Sequence, residues 1–174
     1  HTVSNISHTR DDGNYVGLFG YVKGDDSEIK DIGVINSSFI NGSNGAGCIV
    51  GYLGEGAITN CWVEGGYTAS SFRSGGLVGR VDAGSVVSGC YAVNGLTETE
   101  HNYAGGFVGE NDGLISNCYS TYDVGGSVHL AGGFVGDNGG TVTNCYSAGS
   151  LVSGTGLKGF VASNSGSVTG CFFD

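Results

Sequence analysis

The amino-acid sequence predicts an all-β protein: a β-solenoid of about six turns, each of 26–31 residues with three short strands. Two motifs recur in phase along the chain, and turns rich in glycine and asparagine separate them. No segment keeps apolar residues at the i, i+3, i+4, i+7 spacing of an amphipathic helix. Residues 1–174 are therefore predicted to form a single solenoid domain.

The first motif, called here the first anchor, reads GLFG, GCIVG, GGLVG or GGFVG and fades to KGFVA near the C-terminus. The residues that close it are spaced by 31, 28, 30, 27 and 26 positions: Gly20, Gly51, Gly79, Gly109, Gly136 and Ala162. Two adjacent apolar columns run through the anchor, although neighbours on a flat strand face opposite sides. The pattern predicts either a bend within the anchor or a cover over one column.

The second motif, the second anchor, is an aliphatic residue, a polar residue, then Asn, Asp or Gly, and finally Ile or Cys. It reads VSNI, IKDI, ITNC, VSGC, ISNC, VTNC and VTGC between residues 3 and 171. A third, looser segment follows each copy. Short runs of Val, Ile, Phe and Tyr between such breaker residues indicate strands.

Five of the six cysteines share one phase of the repeat, where the first two repeats place isoleucine: Cys61, Cys90, Cys118, Cys145 and Cys171, after Ile6 and Ile32. A position that accepts either residue is a small apolar core position, and free cysteine is often buried. On adjacent rungs the Cβ vectors run parallel, which suits a disulfide poorly. The sequence predicts a ladder of reduced, buried thiols. Cys48 stands outside this ladder, at a position of the first anchor where the other copies have glycine.

An aromatic column follows the cysteine column directly: Trp62, Tyr91, Tyr119, Tyr146 and Phe172. If the cysteines point inward, strand alternation points these rings outward. The column is interpreted first as a ladder that stabilises its own rungs. The alternative is a platform that binds glycans by stacking on their C–H faces.

Composition and motifs exclude several functions. The net charge of −10 disfavours nucleic acid and anionic lipid as partners, and no apolar run is long enough to span a membrane. Nucleophile, zinc and phosphate-loop motifs are missing, so neither an enzyme nor a cofactor or catalytic metal site is predicted. Acidic clusters at Asp11–Asp12 and at Asp25, Asp26 and Glu28 are read as solvated loops, with calcium as the alternative.

The two anchors together resemble a known family. The phrases GGLVG, GGFVGENDGLISNCYST and GGFVGDNGGTVTNCYSAGSLV are similar to the GLUG motif of large bacterial surface proteins. The resemblance covers nearly the whole chain. It implies an extracellular β-solenoid of the kind found in haemagglutinin-like adhesins and in non-catalytic regions of IgA-cleaving metallopeptidases, without catalytic residues.

Two classes of function follow from these expectations. The first is a structural module at the bacterial cell surface, an adhesin stalk or a filament subunit whose partners are adjacent repeats or further copies stacked head-to-tail. Its stacking strands would carry Val3 and Ile6 at one end and Val168 and Cys171 at the other. The second is a carbohydrate-binding adhesive module that uses the aromatic column.

Overall fold

The computed structural model describes residues 1–10, 13–41, 43–127 and 129–174, with the backbone alone at residue 41. These residues form thirty short β-strands and contain no helix. The strands pair in parallel into five sheets, and each sheet receives one strand from each successive turn of the chain. We name the sheets A to E in the order in which the chain first enters them.

Sheet A has the strands Thr2–Ser4, Gly33–Ile35, Trp62–Glu64, Tyr91–Val93, Tyr119–Ser120, Tyr146–Ser147 and Phe172–Phe173. Sheet B has the strands Ser7–Arg10, Ser38–Asn41, Tyr67–Ser70, Leu96–Thr99 and Asp123–Gly126. Sheet C has the strands Tyr15–Val16, Gly45–Gly47, Arg73–Gly75, Tyr103–Gly105, Leu130–Gly132 and Leu157–Lys158.

Sheet D has the strands Phe19–Val22, Val50–Leu53, Val78–Val81, Val108–Asn111, Val135–Asn138 and Val161–Asn164. Sheet E has the strands Glu28–Lys30, Ala57–Thr59, Val86–Ser88, Leu114–Ser116, Thr141–Thr143 and Ser167–Thr169. The predicted β-solenoid of about six turns is confirmed. The three segments expected in each turn are present, and bends divide them further: the first anchor spans sheets C and D, the second anchor forms sheet E, and the third segment spans sheets A and B. The predicted phase is wrong for VSNI, the first copy of the second anchor, because Val3 pairs with Val34 in sheet A.

The Asn, Asp or Gly that directly precedes the Cys or Ile of the second anchor forms a corner between sheets E and A. Its φ angle lies between 51° and 64° in the six copies that form this corner: Asp31, Asn60, Gly89, Asn117, Asn144 and Gly170. Asn5 of the first copy, VSNI, lies instead between sheets A and B, level with Asn36. Asn, Asp and Gly tolerate this left-handed conformation far better than other residues do. The corner therefore explains why the sequence restricts this position to those three residue types.

The glycines of the first anchor let sheets C and D pack backbone against backbone. A Cβ atom added to Gly109 would lie 2.7 Å from the Gly79 carbonyl oxygen and 2.8 Å from the Ser74 nitrogen. On the facing strand, a Cβ on Gly105 would lie 2.8 Å from the nitrogen of Gly136. No side chain fits at either position, so the motif requires glycine on both strands.

The bend between these two strands places both apolar columns of the first anchor in the core. Leu77 and Val78 are adjacent in sequence, and both are completely buried. The same holds for the pairs Ile49 and Val50, Phe107 and Val108, and Phe134 and Val135. Of the two predicted explanations, the bend is thus confirmed in these turns.

Candidate functional site

The aromatic column lies on the outer side of sheet A, as predicted. Tyr119 is 41% exposed and Phe172 is 65% exposed, while Trp62, Tyr91 and Tyr146 are half-buried. The cysteine before each ring points inward, in keeping with strand alternation.

Three rings of this column, Trp62, Tyr91 and Tyr119, stack on each other along the solenoid axis, whereas Tyr146 and Phe172 are tilted to each other at 53°. The centroids of Tyr91 and Tyr119 are 5.0 Å apart with planes at 11°, and those of Trp62 and Tyr91 are 6.3 Å apart with planes at 21°. Trp62 also covers Gly33, where any Cβ would collide with the indole. The ring faces in this part of the column contact one another, so the geometry favours the interpretation as a self-stabilising ladder. The glycan platform remains a prediction.

The cysteine column forms a ladder of free thiols. Cys118 Sγ lies 3.1 Å from the Ser116 carbonyl oxygen, to which it donates, and accepts the Cys90 N–H at 3.4 Å. Burial raises the pKa of Cys118, so the thiol stays protonated at neutral pH. Cys61, Cys90, Cys118 and Cys145 are buried as predicted, whereas Cys171 is partly exposed because it lies on the last rung.

Cys48 is also free and is completely buried. Its Sγ lies 3.7 Å from the hydroxyl of Tyr122, a buried side chain that fills space left by glycines of other turns. Burial raises the pKa of Cys48 to about 12. This thiol is therefore a core group without access to solvent.

The predicted stacking residues lie on the two end rungs of the solenoid. Val3 pairs with Val34 in the first strand pair of sheet A, and Ile6 is half-buried. At the opposite end, Val168 is 38% exposed and Cys171 is partly exposed. The outer strand edges of both rungs are free of backbone partners within the described residues.

A column in sheet D changes from aliphatic to amide along the axis. Its members, paired in register, are Val22, Leu53, Val81, Asn111, Asn138 and Asn164. Asn111 Nδ2 donates to Asn138 Oδ1 at 2.7 Å, and Asn138 Nδ2 donates to Asn164 Oδ1 at 2.7 Å. Asn164 donates one amide N–H to Gly166, and its second N–H meets no acceptor among the described residues.

A cluster of tyrosine, arginine and carboxylate side chains flanks the outer side of sheets C and D, and the sequence analysis missed it. The Tyr52 ring centroid lies 4.9 Å from that of Tyr21 and 4.7 Å from that of Tyr15. The Arg80 guanidinium lies 5.4 Å from the Tyr52 ring centroid. Tyr21, Tyr52 and Arg80 each follow the closing glycine of the first anchor, and this shared phase is the signal that could have revealed the column.

Hydrogen bonds and ion pairs fix this cluster. The Tyr52 hydroxyl donates to Asp82, and Arg80 Nη2 lies 2.8 Å from Asp82 Oδ1 and 3.4 Å from Asp112 Oδ2. Burial, followed by the hydrogen bond to Asp82, raises the pKa of Tyr52. Beside the cluster lies a groove of about 520 Å³, where sheet D turns toward sheet E. We call it the tyrosine groove; it is lined by Tyr21, Lys23, Tyr52, Gly54, Glu55, Asp82, Ala83 and Asp112.

The calcium alternative rested on two acidic clusters. Asp11 and Asp12 lie outside the described residues. In the second cluster, Glu28 pairs with Lys30 at 2.8 Å. Within the described ranges, no group of three His, Cys, Asp or Glu side chains is placed to hold a metal ion. The same part of the chain contains no helix long and apolar enough to cross a membrane.

Comparison with known proteins supports the resemblance drawn from the anchors. Residues 100–125 match the family described as the GLUG motif, which confirms the resemblance in that segment. No curated protein matches the chain. The fold is similar to a crystal structure of a candidate immunoglobulin A1 protease from Bacteroides ovatus, with a TM-score of 0.83 and 24% identity. The match covers 99% of this chain and 57% of that one, so the chain spans little more than half of that protein.

Proposed function

We propose that the chain is a non-enzymatic structural module of a bacterial extracellular surface protein, acting in a stalk or filament. The GLUG match and the solenoid fold support a repeat module. The extracellular position rests on the surface proteins in which similar repeats occur and on the excess of acidic residues. We propose that the chain is not catalytic because several of its carboxylates, the groups that would act as acid or base, are held in ion pairs on the outer surface.

The observation that carries this proposal is the chemistry of the two end rungs. Ile6, Leu18 and Val22 at one end, and Val161 and Cys171 at the other, are apolar side chains of the core that are only partly buried. The strand edges beside them are open, and an open edge accepts another strand. A further rung would cover both the apolar side chains and the edges. We therefore propose that each end rung receives an adjoining rung.

The asparagine column favours an adjoining rung of a longer array over a copy of this chain. In a head-to-tail stack of copies in register, Asn164 of one copy would meet Val22 of the next, which has no acceptor for the free amide N–H. Such an unsatisfied donor costs about 1–3 kcal/mol when buried. A rung with asparagine in this column would satisfy it. The stalk is thus the better-supported form, and copy stacking is the weaker one.

Self-association in solution tests whether the end rungs accept another rung. We expect sedimentation velocity to show a weak rise of mass with concentration, strengthened at least several-fold by Asn164→Val because the column then matches Val22. Val168→Pro should abolish it, since Ser167 and Thr169 bond inward and the intervening Val168 therefore offers its backbone at the open edge. Ser4→Pro is the corresponding change at the other end, on the free edge of sheet A. There Asn5 donates inward to Ile35 and the His1 carbonyl accepts inward from Gly33, so Thr2 and Ser4 offer their backbone groups outward.

A constant monomer mass for both the unmodified chain and Asn164→Val, up to millimolar concentration, would remove the proposal. Melting temperatures of the proline variants serve as controls, because only a terminal rung is changed. Antibody labelling of intact producing cells checks the proposed surface position.

The carbohydrate-binding alternative on the aromatic column is retained because Tyr119 and Phe172 are exposed. It requires ring surface that the stacking leaves free. Loss of glycan binding in a Trp62→Ala, Tyr119→Ala double variant would support it. The same variants are therefore included when binding to oligosaccharides is measured.

A further inference from the structure

We propose that the tyrosine groove is a binding site for a neutral saccharide. The groove lies beside sheets D and E, whereas the aromatic column lies on sheet A, so the two surfaces are distinct. Tyr21 lies on the first rung of sheet D and its ring stacks on Tyr52 of the next rung, so its free face is the one that an adjoining rung would cover. The inference therefore applies to an end rung that carries no adjoining rung, and its test does not require self-association. It rests on the ring surface, the free polar groups and the charge balance of the groove.

The groove offers one exposed aromatic ring that is held in place. Tyr21 is 53% exposed. One side of its ring stacks on Tyr52 with planes at 19°, and its Cε2 would lie 3.0 Å from a Cβ on Gly54. Glycine at position 54 therefore lets the ring lie close to the next rung. A fixed, exposed aromatic surface is suited to packing against the C–H face of a sugar ring, at little cost in side-chain entropy.

Polar groups of both kinds surround this ring. Lys23 and Glu55 have no ion-pair partner among the described residues, so an ammonium donor and a carboxylate acceptor are available. Asp82 and Asp112 are held by Arg80 and keep further acceptor capacity. Sugar hydroxyls both donate and accept hydrogen bonds, so they can use every one of these groups.

The charges in the groove argue against an anionic ligand. An anion would approach three carboxylates, Glu55, Asp82 and Asp112, in a chain with a net charge of −10. The Arg80 guanidinium already lies over the Tyr52 ring, 5.4 Å from its centroid, so that ring face is not open to a cationic ligand. A neutral polyhydroxyl ligand avoids the repulsion by the carboxylates and needs no free cation position on Tyr52.

The tyrosine groove adjoins a second cavity, which adds room for a further sugar unit. This second cavity, of about 400 Å³, shares Glu55 and Ala83 with the groove and continues toward Asp25 and Val86. The 520 Å³ of the tyrosine groove alone lies within the usual range of small-molecule sites, about 300–1,000 Å³. The shape therefore favours a short oligosaccharide over a single sugar.

A panel of immobilised neutral oligosaccharides, including gluco-, xylo-, manno- and galacto-series, tests the proposal, with titration calorimetry on the strongest hit. We expect the unmodified chain to bind at least one series, Tyr21→Ala to weaken binding at least tenfold, and Glu55→Gln to weaken it several-fold. Trp62→Ala, alone or with Tyr119→Ala, should leave binding unchanged. Equal melting temperatures show that the exposed Tyr21 was removed without loss of the fold.

Three outcomes would overturn the proposal. They are the absence of binding to every oligosaccharide at millimolar concentration, binding that is unaffected by Tyr21→Ala, and binding that is lost only in the Trp62 variants. The last result would assign saccharide binding to the aromatic column instead.

Discussion

The N-terminal and C-terminal halves of the solenoid use the same five sheets but fill their interior columns with different chemistry. In one column of sheet D, Val22, Leu53 and Val81 give way to Asn111, Asn138 and Asn164. In the neighbouring anchor column, Leu18, Ile49 and Leu77 give way to Phe107, Phe134 and Phe160. The phenylalanine rings stack at 4.7 and 4.9 Å with planes at 6° and 3°.

In these two interior columns, like side chains pack on like along the axis. Amides satisfy amides, and rings stack on rings. At the boundary, Asn111 faces Val81, which offers no hydrogen bond, and its Oδ1 accepts the N–H of Gly113 in its own turn instead. The asparagine ladder thus begins without an unsatisfied oxygen, and the two halves can share one continuous sheet.

The glycine packing common to both halves gives the largest expected effect. Gly109→Ala places a methyl group against backbone atoms at 2.7, 2.8 and 3.0 Å, so the sheets must separate. We expect a loss of at least about 3 kcal/mol in the free energy of unfolding, measured with denaturant. The matched control is Gly20→Ala on the first rung, where a Cβ would meet one backbone oxygen at 3.1 Å and the cost should be small. Equal losses in the two variants would contradict this account of the motif.

The asparagine ladder gives an intermediate effect and tests the difference between the halves directly. Asn138→Val leaves Asn111 without its acceptor and Asn164 without its donor, and we expect a loss of about 2–4 kcal/mol. Replacing all three asparagines by valine should recover part of this loss, because the column then resembles the N-terminal half. Chemical denaturation of the single and triple variants measures both the loss of stability and its partial recovery. A triple variant less stable than the single one would refute the rule that like packs on like.

Ionisation of Cys48 in the N-terminal half has no effect on stability at neutral pH and lowers it only in alkaline solution. Its pKa rises from the ordinary value of 9.0 to about 12 on folding, so the unfolded chain loses the proton first. Stability is therefore expected to be intact below about pH 9 and to fall as the pH rises toward 12. In Cys48→Ala the slope should be shallower by about 1.4 kcal/mol per pH unit in that window. Denaturant unfolding at several pH values, with reductant present, makes the comparison; parallel slopes would argue against this role of Cys48.

Much of the fold could be predicted because its causes are local and repeated. The left-handed corner needs Asn, Asp or Gly wherever it occurs, so positions such as Asn60 and Gly89 mark it in the sequence. The cysteine column was readable because Ile32 occupies the same phase. The assignment of Ile6 to that phase was wrong, because Val3 pairs with Val34 and Ile6 therefore lies level with Ser37. The division of each turn into five strands was less accessible, because it depends on bends at Gly76 and Gly65 within segments that read as continuous.

The asparagine ladder and the tyrosine cluster depend on contacts between distant parts of the chain. Asn111, Asn138 and Asn164 sit in the phrases ENDG, DNGG and SNSG, which the sequence shows only as turn signals; their ladder requires the register of sheet D. The tyrosine cluster joins Tyr15 of sheet C to Tyr52 of sheet D, and the close glycine packing of the two sheets brings them together. The shared phase of each column is visible in the sequence, whereas the amide hydrogen bonds and the contact of Tyr15 with Tyr52 are not.

The parallel pairing of every strand has a mechanical consequence. Hydrogen bonds between rungs lie along the solenoid axis, so a pull on the two ends loads the bonds of one terminal rung before those of the next. A released turn of 26–31 residues extends to about 90–110 Å, whereas a folded rung adds only about 4.8 Å of height. Under tension, the solenoid would release its chain one turn at a time; each released turn would become about twenty times longer than it was when folded, while the remaining turns keep their structure.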